Sequence, residues 1–163
     1  MTSRAARALR APRCWFGSKL GVLEALSLRC AGGPEIRALR EAQAIEDPLA
    51  ALDGLLEAGC DLWEQEGFIM VQLKAIVVLE PDATAIIDAQ YEDQRSGMQG
   101  LARKLAKAGL LREGWTQARA TAALHALTSV ETFTLRRRSH GLTLAQVKAT
   151  ITAMARASLV ADE

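Results

Sequence analysis

Apolar residues recur at three- and four-residue steps through most of the chain, a spacing that predicts amphipathic helices. Asp47 and Pro48 combine an N-cap with a proline at the first helical position, so we expect a helix from Pro48 to about Glu66, ended by Gly67. Its broad apolar face predicts a central, largely buried helix. The same pattern predicts further helices over 35–43, 68–79 and about 81–108.

The C-terminal part of the chain predicts a hairpin of two long helices. The first is expected over Trp115–Arg138, and Gly141 after it supplies the left-handed residue that commonly follows a helix end. Thr143 and Gln146 form the capping box that opens the second helix, over Thr143–Val160. A tight turn should therefore join the two helices.

This hairpin carries more apolar surface than one helix pair can bury by itself. We expect two copies to form a two-fold, four-helix bundle, so the protein is predicted to be a homodimer. The alternative is that the hairpin packs only against the preceding helices of its own chain. The predicted dimer interface consists of Ala120, Leu124, Leu127, Leu144, Val147, Ile151 and Met154.

Composition favours a single all-α domain. Half of the 163 residues are hydrophobic but only 4% are aromatic, and alternating β-branched runs are scarce, so we expect an aliphatic, Ala-rich core without a sheet. No apolar run approaches the ~18 residues of a membrane span, which predicts a soluble, cytoplasmic protein. The cysteines at 14, 30 and 60 show no paired spacing, so neither a disulfide framework nor a Cys-based zinc site is indicated.

Charge is distributed unevenly along the chain. Residues 1–40 hold eight Lys or Arg against two acidic residues, a net charge of +6, whereas residues 41–163 hold twelve against seventeen, a net charge of −5. A basic N-terminal end suggests a polyanionic partner, with nucleic acid first and an anionic membrane surface second. Two alternatives are a basic tail that binds nothing and an organelle transit peptide.

The run Trp15-Phe16-Gly17-Ser18-Lys19, followed by Gly-Val-Leu-Glu-Ala-Leu over 21–26, resembles the junction that ends the helix-turn-helix of TetR-family transcriptional regulators. The resemblance implies a remnant of the DNA-binding headpiece over 1–18 and a helical bundle over 19–163 for effector binding and dimerisation. It also implies that Trp15, Phe16, Ser18 and Lys19 contact DNA, with Lys19 and the Ser18 amide facing phosphate.

The N-terminal side of this motif departs from the family pattern. Only fourteen residues precede Trp15, where the family has about forty, and Pro12 falls where the recognition helix should be regular. We therefore expect weak, non-specific DNA binding by a regulator whose headpiece is truncated. The alternative function is a helical dimerisation or small-molecule-binding module that does not touch DNA.

Motifs that would indicate catalysis are absent from the sequence. His125 and His140 lack the spacing that places two metal ligands on one helical face, and there is neither a glycine-rich phosphate loop nor a Gly-x-Ser-x-Gly elbow. We expect no enzymatic activity, no cofactor and no metal.

The sequence favours a pocket for an apolar small-molecule effector over a catalytic site. Leu-rich central helices that carry a few large or polar side chains are typical of pockets between bundle helices. The alternative is that these side chains are ordinary core residues. The predicted pocket residues are Trp63, Phe68, Met70, Tyr91, His125 and Thr128.

Overall fold

The computed structural model describes residues 32–79 and 84–161, together with helical backbone at Gly21 and Ala25; it gives no side-chain account of 77–79, 85–87 and 89–90. The predicted DNA contacts Trp15, Phe16, Ser18 and Lys19 lie outside the described residues. The described part contains helices and no strand, which confirms the all-α prediction there. The elements are α1 (Pro34–Ala44), α2 (Pro48–Leu79), α3 (Thr84–Lys107), α4 (Gln117–Leu127), α5 (Val130–Thr134), a π-helical turn (Leu135–Ser139) and α6 (Leu144–Leu159).

The starts of α2 and α6 and the turn before α6 are where the sequence indicated them. The Asp47 carboxylate accepts a hydrogen bond from the Ala50 amide at 2.6 Å at the start of α2, and Thr143 and Gln146 form both bonds of a capping box at the start of α6. Gly141 has φ +66°, in the left-handed region that favours glycine. The hairpin turn is therefore confirmed.

Helix α2 continues through Gly67, so the predicted break at this residue is wrong. A Cβ on Gly67 would lie 3.4 Å from a methyl carbon of Val130. This distance is ordinary van der Waals contact, so α5 packs directly against α2 at this glycine, and the flanking residues keep the helix intact.

The single helix predicted over Trp115–Arg138 is also wrong, because the chain breaks between α4 and α5. The Thr128 hydroxyl donates to the Leu124 carbonyl at 2.8 Å, and the Ser129 hydroxyl accepts from the Thr132 amide at 3.2 Å as the N-cap of α5. Side chains that bond to nearby backbone offer it an alternative to helix, and here two of them occur in succession.

The hairpin packs against its own chain. Ala120, Leu124 and Val147 are fully buried, and Ile151 is 2% exposed, all within one core cluster. Their assignment to a dimer interface is therefore wrong, because an apolar stripe does not reveal which surface covers it. Of the remaining predicted interface residues, Leu127 and Leu144 are partly buried against the same core, and Met154 is 40% exposed.

Ion pairs fix the register of the hairpin on α2. They are Arg156–Asp53, Lys148–Asp61 and Arg137–Glu64. The acidic partners follow one face of α2, and the basic partners lie on α6 and the π-helical turn. Most of these side chains are partly exposed, so each pair contributes little stability, but their order along α2 disfavours a shifted docking.

The end of the described chain is tied back to the loop after α3. The Arg112 amide donates to the Leu159 carbonyl at 2.8 Å, and the Ala161 amide donates to the Leu110 carbonyl at 3.0 Å. These two bonds form one isolated antiparallel bridge, not a sheet.

Candidate ligand cavity

A cavity of about 540 Å³ lies between α1, α2, α3 and the junction of α4 with α5. We call it the central cavity. Its α2 wall is one helical stripe that includes Leu55, Gly59, Leu62, Trp63 and Met70. Such a volume matches pockets that hold drug-sized molecules.

Five of the six predicted pocket residues line this cavity, namely Trp63, Met70, Tyr91, His125 and Thr128. Phe68 does not, and its placement in the pocket is wrong. Its side chain is 59% exposed, and the guanidinium carbon of Arg138 lies 5.6 Å from its ring centroid. Because α2 is continuous, Phe68 is rotated by about 140° from Trp63 around the helix axis, whereas Met70 returns to nearly the same side.

The inner end of the cavity is built on the α4–α5 junction. The indole N–H of Trp63 donates to the Thr128 carbonyl oxygen at 2.6 Å, which satisfies a backbone acceptor at the end of α4. The Thr128 side chain is 6% exposed, and its hydroxyl is 3.8 Å from the Met98 sulfur. The Trp63 ring is therefore held in place along the cavity wall.

Charged and aromatic groups meet at another part of the wall. The Lys74 ammonium lies 4.9 Å from the Tyr91 ring centroid and donates a hydrogen bond to the Glu131 carboxylate. The rings of Tyr91 and His125 are in edge contact, with centroids 6.1 Å apart and an interplanar angle of 73°. Lys74, Tyr91, His125 and Glu131 thus connect α2, α3, α4 and α5, in that order.

The pKa values of this ion pair move in the directions that favour its charged form. Burial of Lys74 works against the ammonium, but hydrogen bonds to Glu131 and Tyr91 outweigh it and raise the pKa of Lys74. Burial likewise opposes the Glu131 carboxylate, but the hydrogen bond and the charge of Lys74, together with hydrogen bonds from the backbone and from Ser129, outweigh it and lower the pKa of Glu131.

Helix α1 forms another part of the cavity wall and is held by α3. The Lys104 ammonium donates to the carbonyl oxygens of Gln43 at 2.5 Å and Ile45 at 2.6 Å, at the C-terminal end of α1. A cation at this end of α1 also interacts favourably with the negative end of the helix dipole. The flexible Gln43 side chain of α1 ends beside the bare backbone of Gly97, where a methyl group would collide with its amide.

Several features of the cavity have no direct signal in the sequence. The bond between Trp63 and Thr128 joins positions 65 residues apart, and the contribution of α1 depends on Lys104 reaching its final carbonyls. Among the described residues, no group of three or more His, Cys, Asp or Glu side chains could hold a metal ion. The cavity offers buried apolar side chains from α2 and α3 together with polar and charged side chains, among them Arg40, Glu66, Lys74, Asp93 and Lys104.

Comparison with protein-family models, curated proteins and solved structures found no match for this chain. None of the helices in the described ranges is long and apolar enough to cross a membrane. The case for a function rests on the central cavity and on the motif at residues 15–26.

Proposed function

We propose that this chain is the effector-binding and dimerisation part of a TetR-like transcriptional regulator, and that the central cavity binds an apolar small molecule. The observation that carries the proposal is the cavity itself. A volume of about 540 Å³ among long helices lies within the range of pockets that hold small-molecule ligands.

The character of the wall supports an apolar ligand. Leu55, Leu62, Met70, Met98 and Leu101 line the cavity and are all at least nine-tenths buried. Because these side chains are already shielded from water, an apolar guest would gain mainly dispersion contacts with them. Polar and charged side chains also line the cavity, among them Arg40, Glu66, Lys74, Asp93 and Lys104, and they would orient a guest that carries a polar group.

Helix α1 supplies the connection from ligand to DNA in this proposal. It is the first described helix after the motif at residues 15–26, and it contributes Ile36, Leu39 and Gln43 to the cavity wall. A guest that moves α1 would also move the segment before it, which carries the proposed DNA contacts Trp15, Phe16, Ser18 and Lys19. Binding of DNA is proposed to be weak, electrostatic and non-specific.

The proposed homodimer needs a face other than the buried stripe of the hairpin. Large apolar side chains that remain exposed on the hairpin are Leu135, at 52%, and Met154, at 40%. The π-helical turn, which carries Leu135, adjoins α6, which carries Met154, because the Arg136 guanidinium of the turn donates to the Met154 sulfur at 3.0 Å. We therefore place the two-fold contact on the outward side of the π-helical turn and α6.

Thermal melting with a panel of small apolar molecules tests the ligand proposal. Naphthol, phenanthrol, indole and dodecanol sample flat and flexible shapes. The variant Gln94→Trp places a large side chain on the cavity wall, whereas Gln99→Trp makes the same change at an exposed position on α3 that is not part of the wall.

A compound that binds the cavity should raise the melting temperature of the unmodified protein and of Gln99→Trp, and should have little effect on Gln94→Trp. The proposal fails if no compound in the panel stabilises the protein, or if all three proteins respond equally.

A further inference from the structure

Five glycines lie inside the two longest helices, Gly54, Gly59 and Gly67 in α2 and Gly97 and Gly100 in α3. Glycine in a helix interior is less stable than alanine, because it loses more backbone entropy on folding. None of the five has a positive φ, a conformation found among the described glycines at 109, 114 and 141 alone. Backbone conformation therefore does not explain them.

Three of the five have side chains of a neighbouring helix beside the position that a Cβ would occupy. A Cβ on Gly54 would lie 3.3 Å from the Cβ of Ala42, and one on Gly67 would lie 3.4 Å from Val130. A Cβ on Gly97 would collide with Gln43. In each case a neighbouring helix approaches the bare backbone.

Gly59 and Gly100 have no such neighbour. A Cβ at either position would meet no heavy atom of the described residues within 4 Å. Both glycines nevertheless line the central cavity, and Gly59 is buried. Each of the two long helices thus leaves a section of the cavity wall bare where a side chain would fit.

We propose that Gly59 and Gly100 keep this space open for a flat aromatic ring system. The inference rests on the proposed ligand-binding function and specifies the class of ligand. Bare helix backbone presents a shallow surface against which a planar molecule can lie, whereas alanine or a larger residue would project into that plane. These two glycines are specificity-determining residues of the cavity.

The other groups on the wall suit an aromatic guest. Trp63, Tyr91 and His125 present ring edges and faces, which pair with aromatic rings in offset or edge-on arrangements. Met70 and Met98 add polarisable thioethers, which make favourable contacts with rings. A flexible alkyl chain would gain apolar burial here but none of these ring contacts.

Paired probes test the inference on the full-length chain. Phenanthrol is a flat tricyclic alcohol, and dodecanol is a flexible alcohol with a similar number of heavy atoms. Binding of both is measured by calorimetric titration to the unmodified protein, to Gly59→Ala, to Gly100→Ala and to Gly54→Ala. The last variant makes the same change in α2 at a position outside the wall of the central cavity.

The unmodified protein should bind phenanthrol at least ~10-fold more tightly than dodecanol. Gly59→Ala and Gly100→Ala should lose most of this preference while their melting temperatures stay the same or rise, since alanine favours helix and meets open space. Gly54→Ala should keep the preference even if its melting temperature falls.

Three results would overturn the inference in distinguishable ways. Equal or tighter binding of dodecanol by the unmodified protein excludes the aromatic class but leaves the cavity as a binding site. An unchanged preference in both cavity variants removes the role of the two glycines. Binding of neither probe contradicts the proposed function itself.

Discussion

The indole N–H of Trp63 on α2 donates a 2.6 Å hydrogen bond to the carbonyl oxygen of Thr128, where α4 ends. This bond joins the central helix to the junction that forms the inner end of the cavity. It also holds in place a large ring that lines the wall. Stability and cavity shape therefore depend on the same contact.

Replacing Trp63 by phenylalanine keeps an aromatic ring but removes the hydrogen-bond donor. The Thr128 carbonyl would lose its partner in a largely buried site, so we expect the free energy of unfolding to fall by about 1–3 kcal/mol. Urea denaturation measures the loss. Trp115→Phe is the matched control, since the Trp115 ring contacts the Arg119 guanidinium and not Thr128. Equal losses in the two variants would contradict the role given to the bond.

The pair Lys74–Glu131 predicts a pH-dependent contribution to stability. The pKa of Glu131 is lowered in the folded chain: burial raises it, and the hydrogen bond and charge of Lys74 together with hydrogen bonds from the backbone and Ser129 more than offset this. A lowered carboxylate pKa stabilises the fold above the unfolded-state pKa, and this stabilisation is lost as pH falls through the folded-state pKa.

Glu131→Gln should therefore be less stable than the unmodified protein at pH 7, by a few tenths of a kcal/mol because Glu131 is 62% exposed. The difference should shrink at pH values below about 4 and at high salt. Urea denaturation over this pH range provides the check. A difference that stays constant from pH 7 to pH 3 would show that charge on Glu131 is not its cause.

Charged substitutions on the buried side and on the exposed side of the hairpin should have different effects on folding and on dimerisation. Ile151→Asp places an unpaired charge in the core and should lower the free energy of unfolding by about 4 kcal/mol, so that the protein unfolds or aggregates. Leu135→Glu combined with Met154→Glu changes two exposed side chains and should give a folded monomer. Size-exclusion chromatography with light scattering distinguishes these outcomes, and a monomeric unmodified protein at tens of micromolar would contradict the proposed dimer.

Weak DNA binding should depend strongly on salt. If Lys19 contacts phosphate, Lys19→Ala should reduce the slope of log affinity against log salt by about 1 for any duplex sequence. Lys107→Ala, at the end of α3, should leave the slope unchanged. Fluorescence anisotropy with duplexes of unrelated sequence measures the salt dependence of binding for both variants. Sequence-selective binding at physiological salt would contradict the non-specific interaction proposed.

Features fixed by a few neighbouring residues could be predicted from the sequence, whereas features that depend on distant contacts could not. The cap at Asp47 and the capping box at Thr143 depend on residues three positions away, and both were predicted. Gly67 was predicted to end a helix, because the residue against which it packs, Val130, lies sixty-three positions further along the chain and gives no local signal.

The difference between local and distant contacts also explains which candidate site residues were predicted correctly. Trp63 and Met70 could be assigned to one helical face by periodicity, but Phe68 was misplaced once the helix was divided at Gly67. The stripe through Val147 and Ile151 was correctly identified as an apolar surface that must be covered. Periodicity could not show that α2 and α4 of the same chain cover it.

Methyl NMR of the methionines tests the central claim most directly, because the chain carries reporters both inside and outside the cavity. Met70 and Met98 line the cavity, and Met154 lies on the exposed side of α6. Variants with leucine at these three positions assign their signals. Titration with phenanthrol should shift the Met70 and Met98 methyl resonances saturably and leave Met154 unchanged. No shift at Met70 and Met98, or an equal shift at Met154, would contradict ligand binding in the central cavity.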